Sequence, residues 1–342
     1  MAAPPACHGR SGDGRAERRG AMMKRVFGWM AVLAGMAWGG NAHADATVYP
    51  GKPIRLIFPW APGSVIDALT RSMAEGMAAR LGQPVVVETR AGANGMIAAQ
   101  QLIAAAPDGY TLMMGNEGSF GINTVRPNAT YDARRDFAPV AHVATTPLFI
   151  VVHPASPYRS LADLIAAARK PDARISYGSI GVGSSSHLAI EKISLASGVP
   201  FIHVPYKGSA EVITSIQGGH VTFAYNGGLM NVHEGRVRAL AVGSAQRYAG
   251  APNVPTVRET IGGDYDEMAW FGLVAPRGTP APIVERLNAV VVETLSQPAF
   301  KEKFSALGFD PAPGSAAMLA GKIERSVSGT AQIIRKANIQ LD

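Results

Sequence analysis

From residue 54 onward, apolar runs of strand length alternate with longer stretches of helical periodicity, and glycine recurs where one gives way to the other. Ile54–Phe58 reads as a strand and Ile66–Leu81 as a helix stopped by Gly82. Pro84–Glu88, Met96–Ala106 and Thr111–Gly115 repeat the alternation. A second set opens at Pro147–Pro154 with an apolar run. Helix Leu161–Lys170, strand Ile175–Ser179, helix Ser185–Ser197, strand Phe201–Val204 and helix Ala210–Gln217 follow. Strands Val221–Tyr225 and Arg238–Gly243 close the set. Trp270–Ala275 reads as a return crossing, with helices at Ala281–Ser296, Pro298–Leu307 and Ser315–Ala337 behind it. Short buried strands separated by helices imply an α/β fold with mostly parallel sheets flanked by helices. Two such sets predict two lobes with a ligand cleft between them: 45–147 plus 269–342, and 148–268. Ligands of open α/β sheets bind beyond the carboxyl ends of the strands, which is where the glycine turns fall.

The first 44 residues are set apart from this pattern. Lys24 and Arg25 precede an apolar run, 26–38, and Asn41-Ala-His-Ala44 offers small residues at both positions of a cleavage site. This is the layout of a secretory signal peptide, with Met22 or Met23 as the start and cleavage near Ala44, and the run is too short for a membrane span. The segment carries six basic and two acidic residues of the chain's 32 and 25. Its removal leaves 26 basic and 23 acidic residues, a net charge of +3. The remaining basic residues are interleaved with acids, which argues against nucleic acid as a partner. Cys7, the only cysteine, leaves with the segment, so neither a disulfide nor a thiolate metal site is expected. A periplasmic protein, not embedded in the membrane, is the expectation.

Three glycine turns invite an anion: His203-Val-Pro-Tyr-Lys-Gly208 at one strand end, and two that open helices. Trp60, Ala61, Pro62, Gly63 and Ser64 join the first strand to the first helix, and Ser179–His187 (Ser-Ile-Gly-Val-Gly-Ser-Ser-Ser-His) does so in the second set. Unsatisfied N–H groups at a helix start, aided by the helix dipole, suit a carboxylate or phosphate. A purely structural account competes at both places. Ser64 with Asp67 three residues on forms a capping box, and the second turn fits an ordinary capped helix start. Lys207 and Arg236 are cations that could attract an anion or simply stay solvated; Trp60, Trp270, Tyr206 and Tyr225 are of types that usually pack cores, yet three of them flank the turns.

Catalytic and metal signatures are missing. No Gly-x-Ser-x-Gly elbow, Gly-Lys-Ser/Thr phosphate loop or His-Glu-x-x-His occurs, and His142, His153, His187, His203, His220 and His233 lack ligand spacing. No cofactor and no metal are expected. The alternative reading is an exported serine hydrolase acting on a small ester, with a hydroxyl of Ser179–Ser186 as nucleophile and His187 as base. Adjacent Ser and His side chains align poorly for that role.

Several segments carry a family resemblance: Lys52-Pro-Ile-Arg-Leu-Ile57, Leu81-Gly-Gln-Pro-Val-Val-Val-Glu88, Ala106-Pro-Asp-Gly-Tyr-Thr-Leu112, His203-Val-Pro-Tyr-Lys-Gly208 and Trp270-Phe-Gly-Leu-Val-Ala-Pro276. From about Tyr49 to the C-terminus the chain resembles the Bug-type periplasmic solute receptors of tripartite tricarboxylate transporters. The resemblance implies a two-lobed, type II-like periplasmic-binding fold that closes on a small carboxylate. It implies a monomer that delivers its ligand to membrane transporter subunits or to a sensor domain. Backbone groups of two facing loops would grip one carboxylate. Here these are Trp60–Ser64 and Ser179–Ser184, the latter through Ser179, Gly181, Gly183 and Ser184. Asn116, Tyr206 and Asn226 would line the rest of the pocket, with Asp67 near the ligand's far end. Ser64-Val65 stands where the family usually has glycines, which predicts a narrower or differently shaped pocket.

Overall fold

The computed structural model describes residues 49–341; the predicted signal peptide and its cleavage point lie outside them. Six strands form one sheet in the order β11-β4-β10-β3-β1-β2. These are β1 (Ile54–Phe58), β2 (Val85–Thr89), β3 (Thr111–Asn116), β4 (Phe137–Thr146), β10 (Ala269–Pro276) and β11 (Asp310–Gly314). The second sheet runs β7-β6-β8-β5-β9. Its strands are β5 (Leu148–Val152), β6 (Ser176–Ser179), β7 (Ile202–Pro205), β8 (Phe223–Gly227) and β9 (Arg238–Val242).

Both sheets are mixed, not mostly parallel as the alternation suggests. β1–β2, β1–β3, β6–β7 and β6–β8 are parallel, whereas β10 pairs antiparallel with β3 and β4, β11 with β4, and β5 with β8 and β9. The strand–helix–strand units keep their parallel pairing. The antiparallel strands include those next to the crossings: β4 leads through Pro147 into β5 of the other sheet, and β10 returns.

The period of two along each strand sends side chains to opposite faces. Ile54, Leu56 and Phe58 of β1, with Leu112 and Met114 of β3, pack on Leu69, Met73 and Met77 of α1 (Val65–Leu81) and Leu287 and Val291 of α9 (Ala281–Leu295). Ile57 and Met113 point the other way, into a core with Ala98 and Leu102 of α2 (Met96–Ile103) and Leu319, Ile323 and Val327 of α11 (Ala316–Lys336). In the second sheet Ile150, Tyr177 and Phe223 meet α4 (Leu161–Ala168) and α5 (Ser185–Ser197), while Phe149, Val151 and Ala224 meet α6 (Ser209–Gln217). Each fully buried aliphatic or aromatic side chain contributes roughly 1.5–3 kcal/mol. Both faces of both sheets are therefore covered. Four of these helix starts carry side-chain caps: Ser160 and Asp163 form a reciprocal box on α4, and Ser64, Ser184 and Ser315 cap α1, α5 and α11. Gly82 and Gly198 end α1 and α5 in the left-handed region, where a Cβ would be strained. No helix among the described residues is long and apolar enough to cross a membrane.

Candidate functional site

The turn after β1 is held from both ends. Trp60 packs edge-on against Phe58 and Phe271, with ring centroids 5.2 and 5.7 Å away, and Ala61–Ser64 are exposed. Ser64 Oγ accepts the Asp67 N–H at 3.3 Å, and the Gly63 N–H donates to Asp67 Oδ2 at 2.9 Å. The other carboxylate oxygen receives Arg71 Nε at 2.9 Å. Asp67, buried, thus spends both oxygens on shaping the turn and on Arg71. Val65 is half-buried and packs on the core under α1, so its extra bulk is partly absorbed by that core.

The turn after β6 satisfies many of its own amides. Ser179 Oγ accepts the Gly181 N–H at 3.1 Å, Ser186 Oγ accepts that of Ile180 at 3.1 Å, and His187 Nδ1 accepts that of Gly183 at 2.9 Å. Ser184 Oγ caps α5 by accepting the His187 N–H at 3.3 Å. Gly181 (φ +120°) and Gly183 (φ +70°) adopt left-handed conformations that permit this winding. The side chains of Ile180 and Val182 stand exposed at its tip.

The other predicted lining residues cluster at strand ends, but their side chains serve the scaffold. The Tyr206 N–H donates to Ser179 O at 2.9 Å, which fixes its backbone beside the turn, whereas its hydroxyl bonds to Ser215 on α6. Asn226 accepts from Ser209 Oγ at 2.6 Å and donates to Ser209 O at 3.2 Å. Asn116 Oδ1 accepts the Ser119 N–H at 3.2 Å, and its backbone pairs with Phe271, the residue on which Trp60 rests. The result is two clusters. One gathers Trp60–Ser64, Asp67 and Asn116 at the six-stranded sheet; the other gathers Ser179–Ser184, Tyr206 and Asn226 at the five-stranded one.

Two histidines that look unrelated in sequence meet here. The β6–β7 register sets Tyr177 opposite His203, and the first turn of α5 lays His187 over His203. Tyr177 stacks on His203 at 4.9 Å and donates its hydroxyl to Glu191 Oε1 at 2.7 Å. Burial pushes the His187 imidazole down to about 4, with His203 adding to the effect, and burial lowers His203 too. Knowing the register of the parallel pair would have exposed this contact; spacing alone does not.

The hydrolase reading finds little here. Ser186 and His187 each bond to a loop amide instead of to one another. A different pair does form, Ser179 Oγ with His203 Nε2 at 2.6 Å, but Ser179 is only 1% exposed. Among the described residues no hydrogen bond joins His203 to an acid that would orient it as a base. Nor do the described residues hold any cluster of His, Cys, Asp and Glu able to bind a metal.

The family model described as tripartite tricarboxylate transporter family receptor matches residues 69–339. Protein BugT of Bordetella pertussis is 32% identical over 322 residues, covering 92% of this chain and 97% of that protein. A Pseudomonas sp. (strain P51) protein, described as a UPF0065 protein in an intergenic region, is 34% identical over 302 residues, covering 86% and 90%. Among solved structures, an R. palustris protein with adipate is 32% identical with a TM-score of 0.75, covering 85% of this chain and 99% of that one. MatC from Rhodopseudomonas palustris with bound malate is 28% identical with a TM-score of 0.71, covering 84% and 100%.

Proposed function

The chain belongs to the tripartite tricarboxylate transporter receptor family, and from that premise we propose that it captures a small carboxylate in the periplasm and delivers it to a membrane transporter. The observation that carries this reading is the pair of strand-to-helix loops, one at each sheet, each leading into a serine-capped helix whose N-terminal dipole favours an anion. Adipate and malate in two structural relatives fit the same chemistry.

In this reading 45–147 plus 269–342 and 148–268 move as two lobes, and the Trp60–Ser64 and Ser179–Ser184 loops close on one carboxylate. The α5 dipole and the amides of its first turn, Ser185 and Ser186, supply donors, and Ile180 and Val182 meet the ligand's carbon skeleton. Closure follows because ligand binds the closed form more tightly than the open one. The receptor acts as a monomer, without cofactor or chemistry of its own.

The test is thermal unfolding with mono-, di- and tricarboxylates and aromatic acids. A true ligand at a hundredfold excess over its Kd stabilises the protein by about 2.7 kcal/mol. No shift across the whole panel, with no change in tryptophan fluorescence, would sink the proposal.

A further inference from the structure

We propose that a cavity at the junction of the two sheets is a second binding site, suited to a small dipolar molecule with an ammonium group at one end and an anionic group at the other. It measures about 310 Å³ and shares no residue with the Trp60–Ser64 and Ser179–Ser184 loops. Thr145 of β4 borders it just before the chain crosses into β5, and Glu267 and Met268 border it just before β10. Glu267 still belongs to the second sheet's surroundings, its N–H donating to Gly243 O at 2.8 Å, whereas Ala269 already pairs with Thr146.

The walls carry acids and bases from different elements. Glu117, at the end of β3, and Glu267 stand on the strand side, while Lys322 and Arg325 come from α11, three residues apart on one helical face. Lys192 is committed to an ion pair with Glu267, and Asp266 accepts the Ala245 N–H at 3.1 Å. Glu117, Lys322 and Arg325 form no ion pair among the described residues, while the Asp266 carboxylate keeps its charge on the same wall and supports Lys322. Ser326 lines the same helix wall with a buried hydroxyl that has no partner among the described residues.

Each end of the cavity is electrostatically unsettled. Burial pushes the Glu117 carboxyl up to about 7, the Glu267 carboxylate pushing further and Lys192 opposing. Burial also lowers Lys322, with Asp266 opposing and Arg325 reinforcing. An ammonium beside Glu117 and an anion beside Lys322 and Arg325 relieve both ends together. A dianion relieves the helix end but sets its second charge against Glu117, and a simple amine does the reverse. Only a molecule of both signs satisfies the whole cavity.

Isothermal titration of the purified protein with γ-aminobutyrate, with butyrate and butylamine as singly charged controls, tests this. Saturable binding of γ-aminobutyrate is expected, weakened about tenfold or more by Glu117→Gln and by Lys322→Gln, each of which removes a charge-assisted contact. Near pH 7 the ammonium draws Glu117 into its ionised form. Binding therefore releases protons, seen as a dependence of the heat on buffer, and Glu117→Gln removes that release. Retention of this binding in Gly183→Asp, which places a negative charge in the carboxylate loop, further supports a separate site. No saturable heat through the millimolar range, or binding indifferent to both Glu117→Gln and Lys322→Gln, overturns the proposal. Loss in Gly183→Asp alone, with that variant shown folded by its thermal unfolding transition, also overturns it, since the probe would then sit in the carboxylate cleft and the receptor reading would stand.

Discussion

The imidazole rings of His187 and His203 stack face to face, with centroids 3.8 Å apart and planes 9° from parallel. Each ring also holds a part of the Gly/Ser loop. His187 Nδ1 accepts the Gly183 N–H, and His203 Nε2 bonds Ser179 Oγ. Tyr177 stacks against His203, and Glu191 faces the pair, its Oε1 4.0 Å from His187 Nε2. Two stacked imidazoles cannot both take a proton cheaply, and a proton on His187 Nδ1 would abolish the acceptor that Gly183 uses. The loop is thus wound around two neutral histidines.

Stability should therefore fall in mild acid. His187 is held at about 4 in the folded chain against an ordinary 6.5, so between these values the unfolded state takes up a proton that the folded state refuses. The contribution is fully present above about pH 6.5 and is lost as pH falls towards 4, amounting to about 3 kcal/mol at most. Glu117, raised to about 7, acts oppositely over part of this range, so the comparison should be made in a Glu117→Gln background. There, His187→Asn, which keeps a short acceptor for Gly183, should flatten the pH dependence of the denaturant midpoint. An unchanged slope in that variant would count against the stacked pair as its source.

Asp67 separates a structural from a ligand-contacting role. Its carboxylate accepts the Gly63 N–H with one oxygen and Arg71 Nε with the other. Asp67→Ala should cost about 1–2 kcal/mol through loss of the helix-start bonds. Arg71→Ala should cost less than about 1 kcal/mol, because the Arg71 side chain is 45% exposed. Asp67→Asn retains an acceptor for Gly63 and should lie between them. Urea unfolding of the three variants decides the matter: full stability in Asp67→Ala with carboxylate binding lost would make Asp67 a ligand residue instead.

The sequence makes the regular parts of this fold easy to read and hides the parts that depend on partners. β1 and α5 are predicted with the bounds they have, because a short apolar run in one and a Ser cap with a glycine stop in the other are local signals. β11 is missed because Pro311 and Pro313 argue against a strand; it is tolerated at the sheet edge, where one side needs no donors. β4 is missed for a similar reason: Pro139 interrupts it, next to an irregularity in its register with β10. The glycine loops are legible as loops. Which of their amides are already bonded is not, since that depends on the rotamers of Ser179, Ser186 and His187. Tyr206 and Asn226 are placed correctly at strand ends, yet Ser215 and Ser209 claim their polar atoms. Strand ends are encoded locally, whereas side-chain direction is settled by tertiary neighbours.

Gly183 offers a test of how tightly this loop is specified. Its φ of +70° is disfavoured for any residue with a Cβ, and a Cβ placed there would lie 2.3 Å from Leu341 Cδ2. Gly183→Ala should therefore carry two penalties, a backbone cost of about 1–2 kcal/mol and a steric one against Leu341. Leu341 lies beyond α11 and can move aside, so the steric part should be the smaller. In Gly183→Ala/Leu341→Ala the clash is gone but the backbone strain persists, and less than half of the lost stability should return. Carboxylate affinity should fall in both variants, because a loop that unwinds to relieve φ also displaces the start of α5, whose Ser185 and Ser186 amides are the proposed donors. Denaturant midpoints at constant m-value, with ligand titrations alongside, separate the two terms. Complete recovery on removing the Leu341 side chain would show that the left-handed backbone at Gly183 is not the constraint.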